Sequence, residues 1–72
     1  MKPNQRIIFD ELFAKYRKIT LTKREVANEL GLVSIQGLDK RIKLNQYIPK
    51  HKIINNKVFF NLVDVAEFIA VG

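Results

Sequence analysis

Between Ser34 and Lys57 the chain carries six Lys or Arg and a single acid. The cations are Lys40, Arg41, Lys43, Lys50, Lys52 and Lys57, and the acid is Asp39. Ammonium and guanidinium groups at this density suit the neutralisation of a polyanion. Among them stand groups that can read a hydrogen-bonding edge. Gln36 can bond adenine in two places, and Lys40 can reach guanine acceptors. Other chemistries lack their parts. His51 is the only histidine and there is no cysteine, so no disulfide, thiol nucleophile, zinc finger or other metal site is expected. Asp10, Glu11, Asp64 and Glu67 fit helix ends or solvated faces, and no nucleophile or general base has a positioned partner. There is no Gly-rich phosphate loop. The chain therefore reads as a binding protein, not an enzyme, and without a cofactor.

The elements that position these groups begin at Thr22. Thr22 and Glu25 have capping-box spacing, with Leu21 and Val26 placed for the accompanying hydrophobic staple. Val26, Ala27 and Leu30 share one helical face, and Gly31 is the natural left-handed stop. Lys23 and Arg24 sit at the helix N-terminus, where they can meet phosphate. Ser34 is placed to cap a second helix. Ile35, Leu38 and Ile42 would face inward, and Gln36, Asp39, Lys40 and Lys43 outward. Asp39 can pair with Lys43 four residues on; left free, it would repel phosphate. Gly37 weakens the helix by about 1 kcal/mol relative to Ala but would permit close approach of another backbone or of DNA. Asn45 ends the helix, and Pro49 requires extended chain before it.

From Tyr47 to Phe60 two β-favouring runs flank Asn55-Asn56, which reads as a hairpin with Lys57 near its loop. Lys50, His51, Lys52 and Lys57 make this hairpin basic. Two helices followed by a basic hairpin is the layout of a winged helix-turn-helix, whose second helix enters the major groove while the wing follows the backbone or the minor groove. Asn61 and Asp64 can cap a last helix that ends near Val71 and packs over the hairpin and the helix begun at Thr22. At the other end, Gln5 to about Lys18 reads as a helix capped by Asn4. Its broad apolar set, Ile7, Ile8, Phe9, Leu12, Phe13 and Tyr16, should seal the core against the next two helices.

Length and charge agree with this reading. Seventy-two residues make one small domain. The hydrophobic fraction of 47% excludes wholesale disorder, and the net charge of +6 favours polyanionic partners. No apolar run reaches the length of a membrane span, and no signal-peptide core is visible at the N-terminus. A cytoplasmic location, on the nucleoid when bound, and no membrane partner are expected.

The stretch LTKREVANELGL, the L-D-x-R-I of Leu38–Ile42, the I-P-K of Ile48–Lys50 and the F-x-L-x-D-V-x-x-F-I of Phe60–Ile69 resemble the small winged helix-turn-helix regulators of the phage excisionase and AlpA type. These are related to the DNA-binding half of MerR proteins. The resemblance covers Leu21 to Ile69. It implies a DNA-binding regulator or excision directionality factor of a phage, plasmid or integrated element. By position, Ser34 and Gln36 match the start of the recognition helix, Lys40 and Arg41 its middle, and Asn55, Asn56 and Lys57 the wing tip. The chain departs from the family in three places: a turn one residue longer at Leu32-Val33, Gly37 where the family has Thr, and the additional N-terminal helix.

The expected fold is mainly α with a small β-hairpin. Residues 1–20 would form an N-terminal helix packed on a winged helix-turn-helix of residues 21–72. The expected partner is double-stranded DNA, with base contacts from Ser34, Gln36 and Lys40. Backbone contacts are expected from Lys23, Arg41, Lys43, Lys50, Lys52, Asn55, Asn56 and Lys57. Useful specificity would call for two copies on adjacent sites, and a regulator or recombinase is a further possible partner. Two other readings stand beside this one. The same scaffold can serve as a protein-interaction module such as an anti-repressor, a reading that gains if Asp39 is free. RNA binding would ask for exposed stacking aromatics, whereas the Phe residues here have core-like spacing.

Overall fold

Pro3 opens the first helix, where its missing N–H would have no helical partner and its fixed φ suits the turn. This helix, α1, spans Pro3–Tyr16. It starts two residues before the expected Gln5, with Asn4 inside it rather than capping it. It also stops two residues short of Lys18, because Arg17 turns left-handed (φ 59°) and its N–H closes on the Phe13 carbonyl at 2.8 Å. The structure is a computed structural model that describes residues 1–71; Gly72, the last residue of the expected domain, lies outside them.

After α1 the chain forms a two-residue strand, β1 (Thr20–Leu21), where the sequence suggests only a connection. The helix-turn-helix follows as α2 (Lys23–Glu29) and α3 (Ile35–Leu44). The capping box is present: the Glu25 N–H donates to the Thr22 hydroxyl, and the Thr22 N–H donates to the Glu25 carboxylate at 2.9 Å. Both helices end in the same manner. Gly31 is left-handed, its N–H donating to the Asn28 carbonyl while that of Leu32 reaches Ala27. Asn45 repeats the pattern at the end of α3, with its N–H on Ile42 and that of Gln46 on Arg41. These paired bonds satisfy carbonyls that a helix end would otherwise leave open. Ser34 takes the extended N-cap conformation, but its side chain makes no capping bond.

The hairpin is β2 (His51–Ile54) and β3 (Lys57–Asn61), antiparallel, with Ile54 opposite Lys57 and His51 opposite Phe60. It is shorter at its start than Tyr47, and Lys57 belongs to the strand rather than the loop. Asn55 and Asn56 both have positive φ, 50° and 64°, the signature of a two-residue type I′ turn whose twist matches the strands. On its other side β3 pairs with β1, Leu21 opposite Phe60, giving the order β1-β3-β2. Asn61 caps α4 (Leu62–Val71) by accepting from the Val63 N–H at 2.9 Å.

One core holds these pieces. Leu12, Leu21, Val26, Ala27, Leu38, Phe60, Leu62, Val65 and Ala66 are buried together. Leu21 and Val26, the two staple residues, are both fully buried. α4 packs chiefly on α1 and secondarily on β3. The expected packing of α4 over the hairpin is met through β3, whereas α1 packs mainly on α4 and not on the two following helices, touching α2 through Lys15 and Tyr16 at Glu29. The apolar stripe of α4 is continuous with the inward side of α1, Ile8, Phe9, Leu12 and Tyr16. The architecture is winged-helix-like: four helices among the described residues, with a small antiparallel sheet.

Candidate nucleic-acid interface

Gln36, Lys40 and Lys43 sit at offsets of four and three along α3, so they line one helical face. All three are exposed. On the opposite face Leu38 is fully buried and Ile35 and Ile42 half-buried, which fixes the rotation of the helix. Ser34 precedes them at the start of α3, exposed and with its hydroxyl unused by the helix. It borders a hollow of about 360 Å³ shared with Arg24, Asn28 and Val33. Arg24 is exposed at the N-terminus of α2 and enters no ion pair among the described residues. It is a stronger phosphate candidate than its neighbour Lys23.

Lys23 is already engaged. Its ammonium lies 2.8 Å from the Asp39 carboxylate. The acid of α3 thus pairs across the helix-turn-helix with Lys23 and not along α3 with Lys43. This ion pair neutralises the one anionic group that would repel a polyanion at α3. Arg41 is half-buried, and its guanidinium donates to the Tyr47 carbonyl at 3.2 Å. That bond holds the connection out of α3, where Tyr47 takes a left-handed φ of 54° that a bulky residue rarely adopts.

On the hairpin, Lys52, Asn55, Asn56 and Lys57 are exposed, as is Lys50 just before it. Lys50 and Lys52 border a hollow of about 540 Å³ on the outer side of the sheet, with Ile54, Phe59 and Asp64. His51 also lines this hollow. It is half-buried, its ring 5.6 Å from that of Phe60, and Nδ1 lies 3.1 Å from the Pro49 carbonyl. A carbonyl can only accept, so Nδ1 carries the proton and His51 acts as a strut at the base of the hairpin.

Gly37 meets no backbone within the chain. A Cβ there would only touch a Leu32 methyl at 4.0 Å, so internal packing does not require a glycine.

The remaining ion pairs lie within α1, at Arg6–Asp10, and between α1 or its exit and α2. Lys18 is 2.8 Å from Glu25 and Lys15 is 2.6 Å from Glu29, which also accepts from the Tyr16 hydroxyl. Burial would raise the Glu29 carboxyl, but the Lys15 ammonium and the Tyr16 hydroxyl outweigh it and hold Glu29 below the usual carboxylate range. Glu25 is lowered too: burial opposes, while Lys18 and the Thr22 donors prevail. The bond to Glu29 raises Lys15, and burial raises Tyr16 with Glu29 assisting. These pairs clamp α1 and the β1 approach onto α2.

Among the described residues no group of three or more His, Asp or Glu gathers to hold a metal, and no helix is long and apolar enough to cross a membrane. A scan of protein-family models, a search of curated proteins and a search of solved structures each find no match to the chain.

Proposed function

We propose that the chain binds double-stranded DNA through α3 and the β2–β3 hairpin. The observation that carries this reading is the partition of charge. The four ion pairs among the described residues draw their cations from Arg6, Lys15, Lys18 and Lys23. Lys40, Lys43, Lys50, Lys52 and Lys57 are left exposed, and the only acid of α3 is neutralised from α2. Ser34, Gln36 and Lys40 are the base contacts in this reading. Arg24, Lys43, Lys50, Lys52, Asn55, Asn56 and Lys57 are the backbone contacts. Lys23 and Arg41 reach phosphate only by leaving Asp39 and Tyr47.

The longest dimension of the chain is 31 Å, just under one helical turn of about 34 Å. One copy therefore covers about a turn, and specificity calls for a second copy on an adjacent site. The finer assignment, a regulator or excision directionality factor of a phage or other mobile element, rests on the resemblance of Leu21–Ile69 and on nothing else.

The test is fluorescence anisotropy of a labelled duplex of about 25 base pairs, two and a half turns, across a salt series. The five cations among the backbone contacts give a log–log salt slope of about −4.5; Lys57→Ala removes about one from it, and Lys40→Ala, a base contact, weakens binding. Absence of binding at low salt sinks the reading. It would favour the protein-interaction alternative, for which the exposed Ile7, Phe13 and Ile19 are the supporting observation.

A further inference from the structure

Phosphate binding leaves the most unusual feature of the hairpin unused. Ile53 and Ile54, beside the turn, are 61% and 53% exposed. Neither belongs to the set packed against the core, although their strand neighbour Val58 does. Adjacent strand residues point to opposite faces. The register places Ile53 opposite Val58 and Ile54 opposite Lys57. Ile54 therefore shares its face with Lys57 across the strand, with Lys52 two residues earlier and with the half-buried Phe59 opposite Lys52, so that it is the exposed apolar side chain beside two exposed cations. The tip beyond it is Asn55-Asn56, both exposed. Tyr47 to Phe60 contains no acid. Among the described residues Asp64 is the one carboxylate that lines the hollow bordered by Lys50, Lys52 and Ile54.

Cations around a projecting isoleucine fit a polyanion that also has an apolar interior open to entry. Stacked base pairs behind a phosphate backbone are such a target, and an anionic lipid surface is another. The two asparagines separate the cases. Immersing carboxamides in hydrocarbon without partners is costly, whereas base edges in the minor groove offer them acceptors and a donor.

We propose that the hairpin tip is a wedge. Ile54 enters a base-pair step from the minor groove and partly unstacks it; Asn55 and Asn56 then bond base edges instead of the backbone groups assigned to them above, and Lys52 and Lys57 hold the flanking phosphates. Apolar side chains inserted in this way kink a duplex, and flexible pyrimidine–purine steps deform most readily. The proposal rests on the DNA-binding reading above and adds a deformation that charge alone does not produce. Ile53, on the opposite face, stays with Val58 and takes no part.

The experiment uses the full chain and duplexes of TpA steps carrying one 2-aminopurine, whose fluorescence rises on unstacking. Anisotropy is recorded in parallel. The wild-type chain raises the 2-aminopurine signal at saturation, and Ile54→Ser loses that rise. Affinity falls no more than about tenfold in Ile54→Ser, because the apolar gain is offset by the unstacking energy. Ile54→Leu retains the rise, as does Ile53→Ser. Circular dichroism checks the fold of each variant. Binding without a rise, or an equal rise in Ile54→Ser, overturns the wedge and leaves DNA binding intact. No binding at all overturns both. Ile54-dependent co-sedimentation with phosphatidylserine vesicles, without duplex unstacking, assigns the tip to lipid and overturns the wedge as well.

Discussion

Lys15, Lys18 and Lys23 each close on a carboxylate, whereas Lys40, Lys43, Lys50, Lys52 and Lys57 close on none among the described residues. The first group lies on α1, its exit and α2, and the second on α3 and the hairpin. Before residue 33 there are seven Lys or Arg to four acids. From 33 to 61 there are six to one, so that stretch carries +5 of the net +6. The two regions differ in what their charge does. In the buttress of α1 and α2, three of the seven cations, Lys15, Lys18 and Lys23, fasten one element to another, and Arg6 pairs within α1. In the arm of α3 and the hairpin, apolar residues fix the elements and the five lysines are left to solvent, while Arg41 holds the Tyr47 carbonyl. A lysine-rich composition would suggest a uniformly basic protein; the structure divides the charge into a used and an unused set.

Four changes break or sharpen this division. Phe60→Ala strikes the residue that joins both regions, since β3 pairs with β1 and with β2 through it. It is fully buried, so truncation should cost about 3–5 kcal/mol, and DNA binding should fall with the fold. Urea denaturation followed by circular dichroism reads the loss. Gly37→Ala should raise stability by up to about 1 kcal/mol, because nothing in the chain occupies the added methyl's place. If DNA approaches the α3 backbone there, the same variant binds more weakly in the anisotropy assay, separating stability from affinity.

The buttress should answer to acid through Glu29. The Glu29 carboxyl is lowered in the fold, so its contribution is present above the unfolded carboxylate range and is lost as pH falls through the lower folded value. The urea midpoint should therefore drop below the ordinary carboxylate range, and Glu29→Gln should flatten that limb of the profile. At the other extreme the raised Lys15 contributes below the ordinary lysine range and loses its contribution as pH climbs through the folded value. The smallest effect belongs to the arm. Lys43→Ala with Lys57→Ala should change stability by no more than about 0.5 kcal/mol, as for surface sites without partners. An unfolding midpoint that moves clearly in that double variant would show the arm's lysines fastening the fold after all.

What the sequence made legible is what neighbouring residues decide. Thr22 with Glu25, Gly31, Asn45, Asn55-Asn56 and Asn61 each set a local geometry through their own side chain or φ preference, and each stands where its chemistry put it. Ser34 shows the limit: the backbone adopts the cap conformation while the hydroxyl stays out of it. The exposed face of α3 followed from period alone. Contacts between distant residues were not legible. Thr20-Leu21 becomes a strand only because Asn61 and Phe60 lie alongside. Asp39 had a cation four residues away and took one sixteen residues away, on another helix. The broad apolar pattern of α1 said that it would be covered but not that α4 would cover it. Nor did Arg17 announce its left-handed turn, since nothing in its side chain prefers one.

The pairing of β1 with β3 has a consequence for how the chain reaches this state. Thr20 and Asn61, partners in the sheet, are forty-one residues apart in sequence. Everything between them, the helix-turn-helix and the hairpin, can be assembled from near neighbours. Local contacts form quickly, whereas long-range closure waits on chain entropy. The interface candidates therefore belong to the early part of folding, and the docking of α1 and β1 to the late part. Substitutions in α1 should accelerate unfolding while leaving the refolding rate nearly unchanged, which a chevron plot of Leu12→Ala would register.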